Sequence, residues 1–165
     1  MKSVVGKFFV CLTLLFLVRP LFAESPQQSP QTTSATVTKI TDGDTIHVIS
    51  DGQLMKIRLA FIYCPEKKQA QGLEAKFELS SLISDEVITL HIYDVDRYGR
   101  QVAEVFHNGD SINLLLVKNG FCYVYPKYAK GKQDFYAAEA YAVNLRLGVH
   151  AFPDSIRPWV WRRTN

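Results

Sequence analysis

Several things are scarce in this 165-residue chain, and each scarcity excludes something. No apolar run is long: the longest, "FFVCLTLLFLV" at residues 8–18, has 11 residues, well short of the ~20 that a membrane-spanning helix needs. Histidine is sparse and scattered. His47, His91, His107 and His150 show no ligand spacing and read as ordinary surface or core residues. There are three cysteines, too few for a disulfide-stapled scaffold, and there is no internal repeat. Charge of one sign is also missing. The formal net charge of +3 comes from Lys2, Lys7 and Arg19, and residues 24–165 hold 16 basic and 16 acidic side chains. Global charge therefore gives no support for a nucleic-acid partner, and any support must come from local placement.

The first segment is not fold. A basic start, "MKSVVGK", precedes the short apolar run, and "RPLFA" ends on a small residue. This is a secretory signal pattern over residues 1–23 with a cut after Ala23; an uncleaved N-terminal anchor is the alternative. Without its signal the protein is expected to be secreted or periplasmic and to keep no stable membrane association. "ESPQQSPQTTS", residues 24–34, has no apolar periodicity and reads as a disordered linker. Residues 35–150 suit one domain rich in Val, Ile, Leu, Phe and Tyr, expected to be a monomer. Residues 151–165, ending in "PWVWRR", form a C-terminal tail.

Turn signals organise the domain. "ATVTKIT" and "TIHVIS" are short β-rich runs joined at Asp42-Gly43, and Asp51-Gly52 turns the chain again into "LMKIRLAFIY". This third strand should run as far as Pro65. Residues 68–84 take a helical period with Ala70, Leu73, Phe77 and Ser81 on one face. "EVITLHIYDVD" and "QVAEVFH" alternate as two strands about the turn "DRYGR". "DSINLLLVKNG" reads as a helix capped at Asp110 or Ser111 and stopped by Gly120. "FCYVY" is a short extended piece. A last helix over 132–147 carries the stripe Phe135, Ala138, Ala142 and Leu145. The order suggests an α+β, mainly β architecture: a five-stranded barrel with three helices, closed so that most sheet edges disappear.

Four stretches could carry chemistry. "TDGDT" is a tight polar turn on the bland reading. On the functional one Asp44 points a carboxylate into a site with Asp42 and Thr45 beside it, hard oxygen donors suited to Ca²⁺ or Mg²⁺. Arg58 lies among Ile57, Leu59 and Phe61 and needs a partner for its charge. That partner is a structural carboxylate, or the guanidinium fork is aimed at a phosphate. "DRYGR" is a charged turn, but Arg100 opens the next strand and could face inward beside Arg58. Glu66 follows Pro65 at the end of the third strand. Two arginines and a glutamate around one pocket meet the needs of phosphodiester cleavage. The arginines offset charge on the phosphorane-like state, and the glutamate takes a proton from water or orients it.

"ITDGDT", "IRLAFIYCPE", "DRYGR", "LVKNG" and "YVY" occur in this order at fitting intervals. Together they resemble the thermonuclease, or staphylococcal nuclease-like, family over residues 35–150. The resemblance implies an OB-fold barrel and an exported, usually Ca²⁺-dependent nuclease acting on DNA and RNA with low sequence selectivity. It implies catalytic roles for Arg58, Glu66 and Arg100. It places a metal at Asp44 and the Cys64 carbonyl, and nucleotide contacts at Arg97, Tyr98, Tyr123 and Tyr125. Packing is the competing reading for Tyr123 and Tyr125. Tyr63 departs from the pattern, because it stands where the family has a second metal aspartate. A neutral phenol is a poor Ca²⁺ ligand, so metal binding is expected to be weakened, or the preferred ion changed. This departure and the balanced charge favour an alternative function, an OB-fold module that binds nucleic acid or nucleotide without cutting it. Cys64 and Cys122 are the two cysteines outside the signal. In an exported chain they could pair, with reactive or buried thiols as alternatives.

Overall fold

The computed structural model describes residues 29–165. The signal segment 1–23 and residues 24–28 of the proposed linker lie outside the described residues. Strand β1 (Gln31–Asp42) is followed by β2 (Thr45–Ser50), β3 (Gln53–Leu59), β4 (Ile62–Tyr63) and helix α1 (Gly72–Ile83). Then come β5 (Val87–Val95), β6 (Gln101–His107), β7 (Asp110–Ser111), α2 (Ile112–Lys118) and β8 (Tyr123–Val124). Helix α3 (Gln133–Asn144), a 3₁₀ turn (Gly148–Ala151) and α4 (Pro158–Thr164) complete the chain.

Five strands pair in the order β3-β2-β1-β5-β6, and a parallel pairing of β3 with β6 closes the ring. This is the OB-fold barrel expected from the turn pattern, with β7 added to β6. β1 serves two neighbours in succession: its residues 31–36 pair with β5, and Thr36 to Asp42 pair with β2. Register shifts between Val37 and Lys39 and between Ile40 and Asp42 let the strand curve from one partner to the other. The barrel interior and the helices meet in one core. Ile46, Ile57, Leu90 and Val105 from the strands and Leu79, Leu116 and Phe135 from the helices are each wholly buried, worth about 1.5–3 kcal/mol apiece.

Five readings of the sequence are corrected. The linker ends before residue 31, because Gln31 to Ser34 already pair with Ile92 to Thr89 of β5. Their composition is polar, but the open edge of β5 offers a ladder, and threonine suits an extended backbone. The third strand is not continuous to Pro65. Phe61 adopts a left-handed backbone with φ 67°, which ends β3 at Leu59 and sends Ile62 and Tyr63 outward to pair with Val124 and Tyr123 of β8. Helix α1 buries Ala75, Leu79 and Ile83 at a spacing of four, while Leu73 and Phe77 are 48% and 66% exposed. The sequence holds two apolar stripes on this helix, and only the second faces the barrel. In α3 the stripe holds at Phe135, Ala138 and Ala142, but Leu145 lies beyond the last turn and is exposed. Finally, three helices were expected, and α4 in the C-terminal tail is a fourth.

Candidate active site

Asp44 sits in the turn between β1 and β2. The Asp42 carboxylate braces this turn by accepting the Asp44 N–H at 3.1 Å. Register places Thr45 opposite Arg58, and Arg58 opposite Val102, so both arginine-bearing strands converge on this turn. Arg58 Nη2 lies 3.1 Å from Asp44 Oδ2 and donates to the Ile62 carbonyl at 2.9 Å, and Nη1 donates to the Leu59 carbonyl. The left-handed Phe61 lies between the two residues whose carbonyls Arg58 takes. The Cys64 N–H also donates to Asp44 Oδ2, at 3.0 Å. The Thr45 hydroxyl donates to Asp44 Oδ1 at 3.3 Å and accepts from Arg100 Nη1 at 3.3 Å. Asp96 fixes Arg100 from the other side, accepting Nε at 2.7 Å and the backbone N–H at 3.0 Å. A continuous chain of bonds therefore runs Arg58–Asp44–Thr45–Arg100–Asp96.

Glu66 follows Pro65 on a short loop whose shape depends on a bare Cα. A Cβ at Gly72 would lie 2.0 Å from the Glu66 carbonyl oxygen, so only glycine lets the start of α1 pack there. Gln69 ties the loop further, accepting the Glu66 N–H at 3.2 Å and donating to the carbonyl of Ile156 in the tail. The Glu66 carboxylate pairs with Arg162 of α4. The Cys64–Cys122 disulfide bonds the corner to the segment that enters β8, with Cα atoms 4.2 Å apart, so the pairing reading holds over the free-thiol ones. Gly43 lies against this bridge: a Cβ there would come within 2.8 Å of the Cys64 Cβ.

A cleft of about 740 Å³ opens beside the two arginines. Arg58, Arg97, Arg100 and Tyr98 line one side, and Tyr63, Tyr125, Lys127 and Tyr128 continue it. Trp159, Arg162 and Arg163 of the tail form the remaining wall. Arg97 donates to its neighbour's Tyr98 hydroxyl at 2.7 Å, and Tyr98 is 64% exposed at the rim. Tyr125 stacks on Trp159 with ring centroids 5.4 Å apart. Of the three tyrosines assigned to nucleotide contact, Tyr98 and Tyr125 reach the cleft and Tyr123 does not. Tyr123 is buried, its hydroxyl bonded to Ser155 and its ring under the Arg157 guanidinium at 4.4 Å. Strand alternation alone would put Tyr123 and Tyr125 on one face, but β8 ends at Val124, and Tyr125 lies past it with its N–H bonded to the Phe61 carbonyl at 2.7 Å.

Tyr63 is 6% exposed, with its ring 5.0 Å from the Arg58 guanidinium and 5.1 Å from that of Arg162. Burial pushes its phenol up to about 12, outweighing both arginines, so it is neutral. Burial also pushes the Asp44 carboxyl above the ordinary carboxylate range, against the pull of Arg58 and the Cys64 N–H. Both shifts bear on the Ca²⁺ implied by the resemblance. That ion takes 6–8 oxygen ligands. Here the Asp44 oxygens already serve Arg58, Cys64 and Thr45, and Asp42 braces its own turn. Among the described residues no three His, Cys, Asp or Glu side chains converge to hold an ion. As arranged, Asp44, Asp42, Thr45 and the Cys64 corner do not fit a Ca²⁺ cage.

Of the residues taken from the sequence, Arg58, Arg97, Tyr98, Arg100 and Tyr125 line the cleft; Asp42, Asp44, Thr45 and Cys64 lie behind Arg58 and Arg100, Glu66 reaches the cleft wall only through its pair with Arg162, and Tyr123 is buried. The sequence reading missed the tail. "PWVWRR" carries a signal that could have found it, two tryptophans and two arginines in six residues. That is an aromatic and cationic cluster of the kind that lines nucleic-acid clefts.

Comparison with known proteins bears on the same geometry. The family described as "Staphylococcal nuclease homologue" matches residues 56–151, more than half of the chain, spanning Arg58, Glu66 and Arg100. The chain belongs to that family. It is 34% identical to a micrococcal nuclease of Shigella flexneri over 139 residues, covering 78% of this chain and 80% of that one. It is also 34% identical over 155 residues to an uncharacterized endonuclease of Haemophilus influenzae, covering 93% and 85%. A staphylococcal-like nuclease of Arabidopsis thaliana is 32% identical over 110 residues, 67% of this chain and 34% of that larger protein. This staphylococcal nuclease relative therefore shares with enzymes named nucleases the segment that carries its arginines and glutamate, while α4 lies beyond the family match.

Proposed function

We propose that this chain is an exported endonuclease that hydrolyses phosphodiester bonds of DNA and RNA with low sequence selectivity. The observation that carries the reading is the bonded chain joining Arg58 to Arg100 through Asp44 and Thr45, at the wall of a cleft that tyrosines, Trp159 and the cations Arg97, Lys127, Arg162 and Arg163 also line, alongside apolar residues and Asp94 and Asp96. The bonds hold both guanidiniums in place before substrate arrives, so the charge that develops on the phosphoryl oxygens meets donors that need no rearrangement. Glu66, on its constrained loop, accepts a proton from the attacking water or orients it. The aromatic side chains accept unpaired bases without selecting among them, since every base has a π-face. The reading assigns no step to a divalent ion. Export is supported by the N-terminal pattern of residues 1–23 and by the Cys64–Cys122 bridge, a bond typical of oxidising compartments. Among the described residues no helix is long and apolar enough to cross a membrane.

The second reading is a module that holds nucleic acid without cleaving it. It is favoured by the pairing of Glu66 with Arg162 and by Tyr63 in place of a carboxylate. Turnover of single-stranded DNA and RNA, with EDTA or with added Ca²⁺, separates the two. Glu66→Gln and Arg100→Gln are each expected to lower turnover by about 10²-fold or more. Binding without cleavage by the unsubstituted protein under every condition would leave the second reading standing.

A further inference from the structure

The two barrel arginines are partly committed within the protein, Arg58 more than Arg100. Arg58 gives Nη1 and Nη2 to Asp44 and two carbonyls, and Arg100 gives Nε and Nη1 to Asp96 and Thr45. Their side chains are 12% and 16% exposed. Arg162 differs. It lines the same cleft, its side chain is 54% exposed, and Glu66 is its one ion-pair partner among the described residues. A guanidinium offers five N–H donors, so most of this fork is free for a second oxyanion.

The fork is also held in place. α4 is fastened by the Trp159 stack on Tyr125, by Arg157 Nη1 against Glu139 Oε1 at 3.0 Å, and by the Gln69 bond to Ile156. Glu139 in turn accepts the Val124 N–H at 3.1 Å, so the tail is tied to β8. The Tyr63 ring supports the guanidinium from below at 5.1 Å. A cation delivered by the tail thus stands at the corner where the family pattern has a second metal carboxylate and this chain has Tyr63.

We propose that Arg162 is a phosphate ligand of this site: it binds the substrate phosphodiester beside Arg58 and Arg100, exchanging Glu66 for a phosphate oxygen and so releasing Glu66 to the attacking water. The proposal rests on the phosphodiesterase reading and deepens it by adding a residue outside the family match. Planar, bidentate capture of phosphate is what the guanidinium fork does best, and it exceeds a single contact to a carboxylate. Glu66 then faces water at the moment the phosphate is fixed.

The experiment is binding of a short fluorescein-labelled, phosphorothioate-linked single-stranded DNA, followed by anisotropy over a range of salt. Arg162→Gln should weaken binding about tenfold, the low end for hydrogen bonds to a charged group. It should also reduce the slope of log K against log salt by about 0.7, one phosphate contact on a single strand. Arg162→Lys should keep that slope while losing part of the affinity, which a merely structural role for the tail would not produce. On a cleavable strand, kcat/KM should fall with Arg162→Gln. An unchanged salt slope overturns the proposal, whatever happens to affinity. A rise in turnover also overturns it, since the contact would then mask Glu66. Failure of the unsubstituted protein to bind any strand overturns the nuclease reading itself, a distinct result from normal binding with an unaltered slope.

Discussion

The site has two halves built in different ways. Asp44, Thr45, Arg58 and Arg100 stand on strands or in turns of the barrel, where backbone ladders set their positions and the side chains are mostly buried. Trp159 and Arg162 stand on a seven-residue helix placed by side-chain contacts alone. A buried pair such as Arg58–Asp44 cannot lose one partner cheaply, because the remaining charge is stranded away from water. An exposed pair such as Arg162–Glu66 is held weakly and can exchange partners. The barrel half therefore suits preorganisation, and the tail half suits capture and release.

The largest expected effect lies where the halves meet. The Cys64–Cys122 bridge spans 58 residues of sequence and fastens the corner carrying Glu66 to the segment carrying Tyr123 and Tyr125. The loop-entropy argument assigns it about 4 kcal/mol. A Cys64→Ala, Cys122→Ala double variant should lose stability on that scale in chemical denaturation, and turnover should fall as Glu66 loses its fixed distance from the arginines. A variant as stable as the parent would show that the barrel positions the corner unaided.

How much of this was legible in the sequence follows the same division. Asp42-Gly43, Asp51-Gly52 and "DRYGR" are local turn signals with a physical mechanism, and they located Asp44 and Arg100 correctly. The alternation of "EVITLHIYDVD" gave β5, and Gly120 ended α2. The failures came where tertiary contacts chose between equal local options. Helix α1 offered two apolar stripes, and only packing against β1 and α2 selected Leu79 over Phe77. Phe61 carries no sequence mark of a left-handed backbone, yet its φ breaks the third strand between the two residues whose carbonyls Arg58 takes. The role of "PWVWRR" depends on contacts as distant as Arg162 with Glu66, which no local pattern encodes.

A smaller effect tests whether the tail depends on its aromatic anchor. Trp159 stacks on Tyr125 at an interplanar angle of 23° and closes one wall of the cleft. Such a pair is worth about 0.5–1.5 kcal/mol beyond its buried area. Trp159→Ala should leave the midpoint of barrel unfolding nearly unchanged, yet release amide exchange protection across residues 158–164. Adding Arg162→Gln to Trp159→Ala should then cost little further affinity for a single strand. Full additivity of the two changes would mean that Arg162 reaches the cleft without the stack, and the tail would count as part of the rigid half.

The smallest expected effect concerns the turn that aims Arg100. Burial raises the Asp96 carboxyl, but the backbone N–H groups of Arg100 and Tyr98 and the Arg100 guanidinium outweigh it, and the net shift is downward. A carboxyl lowered in the folded state adds stability that is present above its unfolded pKa, near 3.9, and is lost as pH falls through its folded value. At pH 7 Asp96→Asn should therefore be destabilised, by about 1 kcal/mol or less for a partly exposed pair. The gap between parent and variant should close in acid, once both carry a neutral side chain at this position. Urea unfolding at neutral pH and at successively lower pH follows the gap as it narrows. A gap that persists unchanged in acid would show that the carboxylate charge does not hold the turn. Arg100 would then owe its place to Thr45 and the β6 ladder, which would bring the barrel half even further from dependence on any single exposed side chain.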